Sequence, residues 1–255
     1  MMRTVIILKQ GGIISPRLFI VYVNDLIQLL RKKGVGCHIL NLFLGCIMFA
    51  DDLALIAPTR GSMQEMLDIC ESYCRDYCLT FNTAKTKSLI FGKCSVNFVP
   101  CPLFLNANPI QYVDEWKYLG CLISAGKNFS FSAKADLRSF YCSANSILTV
   151  LKKTNEQTSM MLLYSNCVPI LSYACEVKSF SSSEMTQCAV ALNNCIRKIF
   201  TYKRWESIRV LRELFGYPDL YTIFAKRKRY FLTNICSIGN STLSNLYHTL
   251  YSLSS

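Results

Sequence analysis

The chain has 255 residues, of which 51% are hydrophobic and 17% charged, and its net charge is +12. This composition excludes a disordered tail, because such segments have too little apolar surface to form a core. The basic excess favours a polyanionic partner, although many basic proteins bind nothing anionic in particular. Fourteen cysteines in a chain of this length without a cleavable signal peptide predict reduced thiols in a cytoplasmic or nuclear protein.

The N-terminal half alternates between helical and strand patterns, which favours an α+β fold. Ser15 and Pro16 are suited to begin a helix that ends near Gly34. A second helix is predicted to begin at Ser62, with Glu65 as the partner in a capping box. Short apolar stretches predict further strands at residues 79–81, 88–91, 103–105 and 110–113.

Two adjacent aspartates, Asp51 and Asp52, separate the apolar runs 44–50 and 53–57. The pattern predicts a β-hairpin with two carboxylates at its tip. Carboxylates this close repel each other unless a cation lies between them, and their hard oxygen atoms suit magnesium. An Asp-Asp pair alone is more often a solvated turn, so the neighbouring motifs must decide between the two interpretations.

The pattern becomes helical after about residue 126, which places a boundary near residue 127 between regions 1–127 and 128–255. Helices are predicted at residues 133–153, 160–177, 184–200, 207–215 and 219–238. The longest apolar run, residues 35–50, is too short to span a bilayer, so no membrane contact is expected. Cys70, Cys74 and Cys78 recur on one helical face, which indicates buried thiols rather than zinc ligands.

Four segments in a fixed order point to one family. They are Gln10-Gly11-Gly12-Ile13-Ile14-Ser15-Pro16, Phe49-Ala50-Asp51-Asp52, residues 82–87, and Tyr118-Leu119-Gly120. In this order and at these intervals they resemble the polymerase core of reverse transcriptases from non-LTR (LINE-type) retrotransposons, and the similarity continues through the C-terminal half.

This resemblance implies a partial polymerase palm, an antiparallel sheet packed on helices, over residues 1–127. A mainly α-helical, thumb-like region follows over residues 128–255. The implied activity is RNA-templated DNA synthesis, in which a primer 3′-hydroxyl attacks a deoxynucleotide triphosphate with the help of two metal ions. The implied partners are an RNA template, a DNA primer and the nucleotides, and the cofactor is Mg²⁺ or Mn²⁺. The oligomeric state is left open.

The resemblance also assigns roles to residues. Asp51 and Asp52 would be the catalytic metal ligands, and Asp51 the stricter one. Lys85, with Lys87 as the alternative, would protonate the leaving pyrophosphate. The implied substrate-binding residues are Gln10, Gly11, Gly12 and Ser15 against nucleotide and template, Phe49 in the catalytic box, and Tyr118, Leu119 and Gly120 as the primer grip.

Each of these roles has a structural alternative. The glycine loop could be an ordinary helix entry, Lys85 a solvated turn lysine, and residues 118–120 a plain core strand. Basic residues with aromatic neighbours suit phosphate contact and stacking, or else solvated helix faces. They are Arg197, Lys198, Lys203, Arg204 and residues 226–229, with Tyr202, Trp205 and Tyr230 among them.

One departure from the family pattern concerns a further catalytic carboxylate, which in the family lies on a strand upstream of the glycine loop. Nine residues precede Gln10 and none is acidic, while Asp25 lies in the first helix and cannot replace it. We therefore expect a truncated core without fingers or endonuclease that lacks polymerase activity alone. The alternatives are a catalytically inactive nucleic-acid-binding remnant and a decayed element with no function.

Overall fold

The computed structural model describes residues 15–92, 100–127, 130–150, 155–235, 237 and 243–247. The chain divides into two compact units, one within residues 1–88 and 95–112 and the other within residues 89–94 and 113–255. This division falls between Tyr112 and Val113, whereas the functional boundary near residue 127 stays a prediction. Each unit is described separately.

The first unit combines two long helices with short strands. In chain order its elements are α1 (Ser15–Lys33), β1 (His38–Ile39), β2 (Leu42–Phe43), β3 (Cys46–Phe49), β4 (Asp52–Leu55), α2 (Arg60–Asp76), β5 (Lys87–Ser88), β6 (Leu103–Leu105) and β7 (Asn108–Tyr112).

Helices α1 and α2 build the core on which the β3–β4 hairpin packs. Leu30 of α1 and Met66 of α2 are fully buried, and Cys46, Leu53 and Leu55 pack against their cluster. The Tyr73 hydroxyl donates to the Tyr22 carbonyl at 2.6 Å and so ties the two helices together. The β3–β4 hairpin is therefore seated on a rigid helical layer.

The N-terminus of α2 differs from its sequence prediction. The helix begins at Arg60, and the Thr59 hydroxyl accepts the Ser62 N–H at 3.1 Å. Thr59 is thus the N-cap, and the predicted capping box of Ser62 and Glu65 is wrong. Thr59 and Ser62 both have a side chain that can cap a helix, but only Thr59 has the extended backbone that an N-cap needs.

The β6–β7 hairpin packs on α2 and closes the first unit. Its turn residues Asn106 and Ala107 both have positive φ, as a two-residue hairpin turn of type I′ requires. The Gln64 side chain completes the free edge of β6, donating to the Phe104 carbonyl and accepting the Phe104 N–H, both at 2.9 Å. The predicted turn at residues 106–109 is confirmed.

Two strand predictions in this unit are wrong in detail. Residues 79–81 form no strand, although Leu79 and Phe81 pack into the core. The strand predicted at 88–91 is instead β5, Lys87–Ser88, which pairs in parallel with β7. An alternating apolar pattern indicates that one side of a segment is buried, whereas a strand also needs a neighbouring strand to pair with its backbone N–H and C=O groups.

The second unit is mainly helical. Its elements are β8 (Glu115–Tyr118), β9 (Cys121–Ser124), β10 (Ser130–Phe131), α3 (Lys134–Val150), α4 (Glu156–Leu162), a π-helical turn (Leu163–Cys167), α5 (Val168–Ser172), α6 (Ser182–Ile199), α7 (Arg209–Leu214) and α8 (Leu220–Asn234).

The helix predicted at 160–177 is divided by the π-helical turn. Pro169 follows this turn within α5. A proline inside a helix has no N–H to donate, and its ring clashes with the carbonyl four residues earlier. The wider turn accommodates that clash, so the helical segment continues to Ser172 and ends before the predicted residue 177.

Helices α3, α4, α5 and α6 enclose the core of the second unit. Phe140, Met160, Leu192 and Ile196 have no exposed surface. Helix α6 begins with a complete capping box between Ser181 and Glu184. The short antiparallel sheet, ordered β10-β9-β8, belongs to this unit.

The structure as a whole agrees with an α+β class. The strands in the part that the structure describes form four small sheets, of which one contains a parallel pair, so the assignment of residues 1–127 to a palm stays a prediction. Within the same residues, no helix is long and apolar enough to cross a membrane.

Candidate active site

The β3–β4 hairpin is the tight reversal that the sequence predicts. Cys46 pairs with Leu55 and Phe49 with Asp52, so the turn consists of Ala50 and Asp51. The tip is thus one residue earlier than the Asp51-Asp52 pair, because Asp52 is already the first residue of β4. Ala50 has a φ of +51°, a conformation that costs a non-glycine residue about 1 kcal/mol.

The two faces of this hairpin differ in chemistry. Cys46, Leu53 and Leu55 lie on the face that packs on the helices. Phe49 and Asp52 form a cross-strand pair on the opposite face, where Phe49 is 62% exposed. Asp51 is also exposed. Alternation along the strands therefore puts Asp52 on the exposed face, away from the core, and Asp51 precedes it in the turn.

Neither aspartate has a cationic partner among the described residues. The ion pairs found there are Arg75–Glu71, Lys178–Asp136, Arg209–Glu213 and Arg227–Glu176. The same part of the chain contains no group of three or more His, Cys, Asp or Glu side chains that could hold a metal ion. The described residues thus bring no third His, Cys, Asp or Glu side chain to the two aspartates to form such a group.

Lys85 lies in a turn of the first unit and is exposed. Its N–H donates to the Asn82 carbonyl and to Asn82 Oδ1, both at 3.1 Å. Asn82 therefore fixes the backbone of the lysine motif and leaves the Lys85 side chain in solvent. Lys87 differs, since its Nζ donates to Gln111 Oε1 at 2.8 Å across the β5–β7 pair.

The predicted nucleotide-binding loop is only partly visible. Gln10, Gly11 and Gly12 lie outside the described residues, and Ser15 is the first residue of α1. The predicted helix is present, but it already includes Ser15, which the sequence predicts as the N-cap before a first helical residue Pro16.

Residues 118–120 form a hairpin turn in the second unit. Tyr118 pairs with Cys121, and the two turn residues Leu119 and Gly120 have φ values of +45° and +79°. The alternative of a plain core strand is therefore wrong, because Leu119 and Gly120 reverse the chain. Tyr173 packs on this turn, and its hydroxyl donates to the Leu119 carbonyl at 2.9 Å.

Comparison with known proteins gives the decisive observation. Residues 3–123 match the family described as reverse transcriptase (RNA-dependent DNA polymerase). This match includes the glycine loop, the aspartate hairpin, the lysine motif and the turn at residues 118–120. These residues belong to the reverse transcriptase family.

Two retrotransposon proteins of Drosophila melanogaster are similar to parts of this chain. The Retrovirus-related Pol polyprotein from type-2 retrotransposable element R2DM is 32% identical over 125 residues, which are 46% of this chain and 12% of that protein. The probable RNA-directed DNA polymerase from transposon BS is 24% identical over 202 residues, 74% of this chain and 22% of that protein. The chain thus spans less than a quarter of either relative. The similarity supports the non-LTR retrotransposon type.

The basic residues of the second unit divide into structural and exposed groups. Arg197 donates to the Glu206 carbonyl at 3.0 Å, and Arg227 pairs with Glu176 at 2.7 Å. The other basic residues predicted to contact phosphate are exposed: Lys198, Lys203, Arg204, Lys226, Lys228 and Arg229.

Sequence analysis missed three residues of this chain that lie near the 118–120 turn: Asp136, Tyr173 and Lys178. Lys178 is buried and its Nζ lies 2.6 Å from Asp136 Oδ2 and 5.7 Å from the centre of the Tyr173 ring. One signal was available. Glu176 and Lys178 are the sole charged residues in the sequence segment 157–183, and charges in an apolar segment are often paired.

Proposed function

We propose that the chain is part of the polymerase core of a non-LTR retrotransposon reverse transcriptase, which synthesises DNA on an RNA template. In this proposal residues 1–127 belong to the palm and residues 128–255 to a thumb-like region. The single observation that supports it most is the β3–β4 hairpin, which lies within a segment that matches the family. This hairpin packs on a helical layer and carries two exposed carboxylates.

The side chains of Asp51 and Asp52 fit a magnesium ion. Both are carboxylates, both are exposed, and neither is neutralised by Lys or Arg among the described residues. Hard oxygen ligands of this kind bind Mg²⁺, usually with water and substrate phosphates completing the shell. Bound there, Mg²⁺ or Mn²⁺ would activate the primer hydroxyl and neutralise the charge that develops on the phosphate.

The other site residues are proposed to have the roles that the family resemblance implies. Lys85 keeps its side chain in solvent on a backbone fixed by Asn82, which suits a group that gives a proton to pyrophosphate. Phe49 shares the open face with Asp52 and would contact the primer or nucleotide. Gln10, Gly11, Gly12 and Ser15 would bind nucleotide and template, and Tyr118, Leu119 and Gly120 would hold the primer.

Metal binding tests the proposal without requiring turnover. We expect the purified chain to bind Mn²⁺, followed by the loss of the free-ion EPR signal, and the D51N/D52N variant to lose at least tenfold in affinity. The Asp76→Asn variant, which removes an exposed carboxylate at the end of α2 in the same unit, is the matched control. Equal Mn²⁺ affinity in the D51N/D52N variant and the unaltered chain would contradict the metal site.

Primer extension tests the activity itself. With an RNA template, a DNA primer and Mg²⁺, any extension by the chain should fall at least a hundredfold in Asp51→Asn and stay unchanged in Asp76→Asn. Extension that survives Asp51→Asn would show that the carboxylate hairpin is not the catalytic centre.

A specific observation favours a second candidate function, nucleic-acid binding without catalysis. Helix α8 buries only Leu220, and Lys226, Lys228 and Arg229 are exposed beside Tyr230, which is 72% exposed. Basic side chains bind the phosphates and release their counterions, and exposed aromatic rings stack on the bases. Together they bind single-stranded nucleic acid without sequence preference.

Salt-dependent binding distinguishes the second candidate. We expect K226Q/K228Q/R229Q to weaken binding of a fluorescent RNA in anisotropy measurements and to reduce the slope of log Kd against log salt by about 2 to 3. The K32Q/K33Q variant removes exposed lysines from the last turn of α1 and should change neither. Binding without nucleotide incorporation, unaffected by Asp51→Asn, would favour this candidate over the polymerase. For either candidate function, the proposed compartment of the protein is the cytoplasm or the nucleus.

A further inference from the structure

We infer that Tyr173, held in place by Lys178 and Asp136, is a positioning residue that fixes the 118–120 turn in the shape that binds the primer end. The inference rests on the proposed primer-grip role of this turn. Tyr173, Lys178, Asp136 and the 118–120 turn all lie in the second unit, so their contacts with one another are internal to that unit.

The turn has a backbone that does not form easily by itself. Leu119 has a φ of +45°, which is unfavourable for a residue with a Cβ atom and uncommon outside Gly, Asn and Asp. Gly120 follows at +79°. A two-residue turn of this kind persists when its surroundings determine its conformation, and such strain often accompanies a functional site.

Tyr173 supplies those surroundings. Its hydroxyl donates to the Leu119 carbonyl at 2.9 Å. A Cβ atom placed on Gly120 would lie 2.9 Å from Tyr173 Cε1, so the ring is in close contact with the backbone of the second turn residue. One side chain therefore touches both residues that reverse the chain.

The Tyr173 ring is in turn fixed by a buried charge. Lys178 Nζ lies 5.7 Å from the ring centre and 2.6 Å from Asp136 Oδ2, and the Lys178 side chain is 1% exposed. A buried ammonium group is stable when it is paired, and its attraction to an aromatic face is stronger away from water. The pair thus joins the beginning of α3 to the segment that bears Tyr173.

A second set of contacts holds the same segment. Arg227 of α8 donates to Ser172 Oγ at 3.0 Å and to Glu176 Oε1 at 2.7 Å. Tyr173 lies between these two anchored residues. Burial raises the pKa of the thiol of Cys121, directly after Gly120, while Lys178 lowers it and Asp136 raises it, so both members of the ion pair lie near the turn.

Hydrogen exchange tests the positioning without a ligand. In the full chain, Tyr173→Phe keeps the ring and removes the donor to Leu119. We expect backbone amides within residues 117–122 to exchange at least fivefold faster in this variant. Tyr141→Phe, which removes another partly exposed hydroxyl of the second unit, is the control and should leave this exchange unchanged. Unchanged exchange in Tyr173→Phe would overturn the inference.

Binding of two probes then tests the functional part. The first is a DNA primer annealed to a longer RNA template, which has a recessed 3′ end, and the second is a blunt RNA–DNA duplex of equal length. We expect Tyr173→Phe to bind the recessed probe about fivefold more weakly, with unchanged affinity for the blunt duplex and an unchanged thermal midpoint. A purely structural role would weaken both probes together.

The outcomes separate the inference from the function on which it rests. If the unaltered chain does not prefer the recessed end, the primer-grip role fails and the inference fails with it. If the chain has that preference and Tyr173→Phe retains it, the inference alone is overturned.

Discussion

The cysteines within the described residues differ in burial, which predicts a difference in reactivity. Burial raises the pKa of Cys70 to about 12 and that of Cys195 to about 11, whereas Cys78, Cys101 and Cys142 are exposed. A protonated, buried thiol is a poor nucleophile. We expect iodoacetamide at pH 8 to alkylate the three exposed cysteines first, as followed by peptide mass spectrometry, while Cys70 and Cys195 react only after denaturation. Rapid native-state alkylation of Cys70 would contradict its burial.

A glycine pair separates backbone strain from steric contact. Gly120 and Gly216 both have positive φ, +79° and +69°, but a Cβ would meet Tyr173 only at Gly120. We expect Gly216→Ala to lower the free energy of unfolding by about 1 kcal/mol through strain alone. Gly120→Ala should cost more, because the Tyr173 ring must also move. Urea denaturation followed by circular dichroism measures both, and equal losses would argue against the Tyr173 contact.

At the scale of single elements, the start of α2 provides a direct test of the structure against the sequence pattern. Thr59 caps the helix, while Ser62, the cap predicted from sequence, lies inside it. We expect Thr59→Ala to destabilise the chain by about 1 kcal/mol and Ser62→Ala by less than about 0.5 kcal/mol, both measured by urea denaturation. A larger loss in Ser62→Ala would restore the sequence-based prediction.

Helix existence was predictable here and helix interruption was not. The periodic apolar residues from Met160 onward indicate a helix, but the π-helical turn before Pro169 depends on how the chain avoids a backbone clash. Likewise the alternation at 79–81 indicates burial of Leu79 and Phe81, while the absence of a strand there depends on which backbone lies beside them.

At the scale of the whole molecule, carboxyl groups of the second unit predict sensitivity to acid. Burial opposes ionisation of Glu184 and Glu176, but hydrogen bonds to each carboxylate outweigh it and lower both pKa values. Ser181 and Ala133 donate to Glu184. The Glu176 amide and Arg227 donate to Glu176. The Thr222 N–H lowers the pKa of Asp219. Folded-state pKa values below the unfolded ones give stability that is present above the unfolded values and lost as pH falls through the folded values.

We therefore expect the thermal midpoint to fall as pH decreases below about 5, since unfolded Glu and Asp titrate near pH 4. The E184Q/D219N variant retains capping side chains and should unfold with a weaker dependence on pH between 5 and 3. Glu213→Gln, which alters an exposed ion pair with Arg209, is the control. An identical pH dependence in E184Q/D219N and the unaltered chain would contradict the assignment.

The sequence by itself determined what depends on order and periodicity along the chain. The family motifs, the carboxylate hairpin and the helical C-terminal half all follow from short-range patterns of apolar, acidic and turn-forming residues. Tertiary structure alone decided which strands find partners, and that Asp136, Lys178 and Tyr173 meet at the 118–120 turn. These features depend on contacts between residues far apart in sequence, and a local pattern contains no information about which distant side chain will satisfy a buried charge or backbone group.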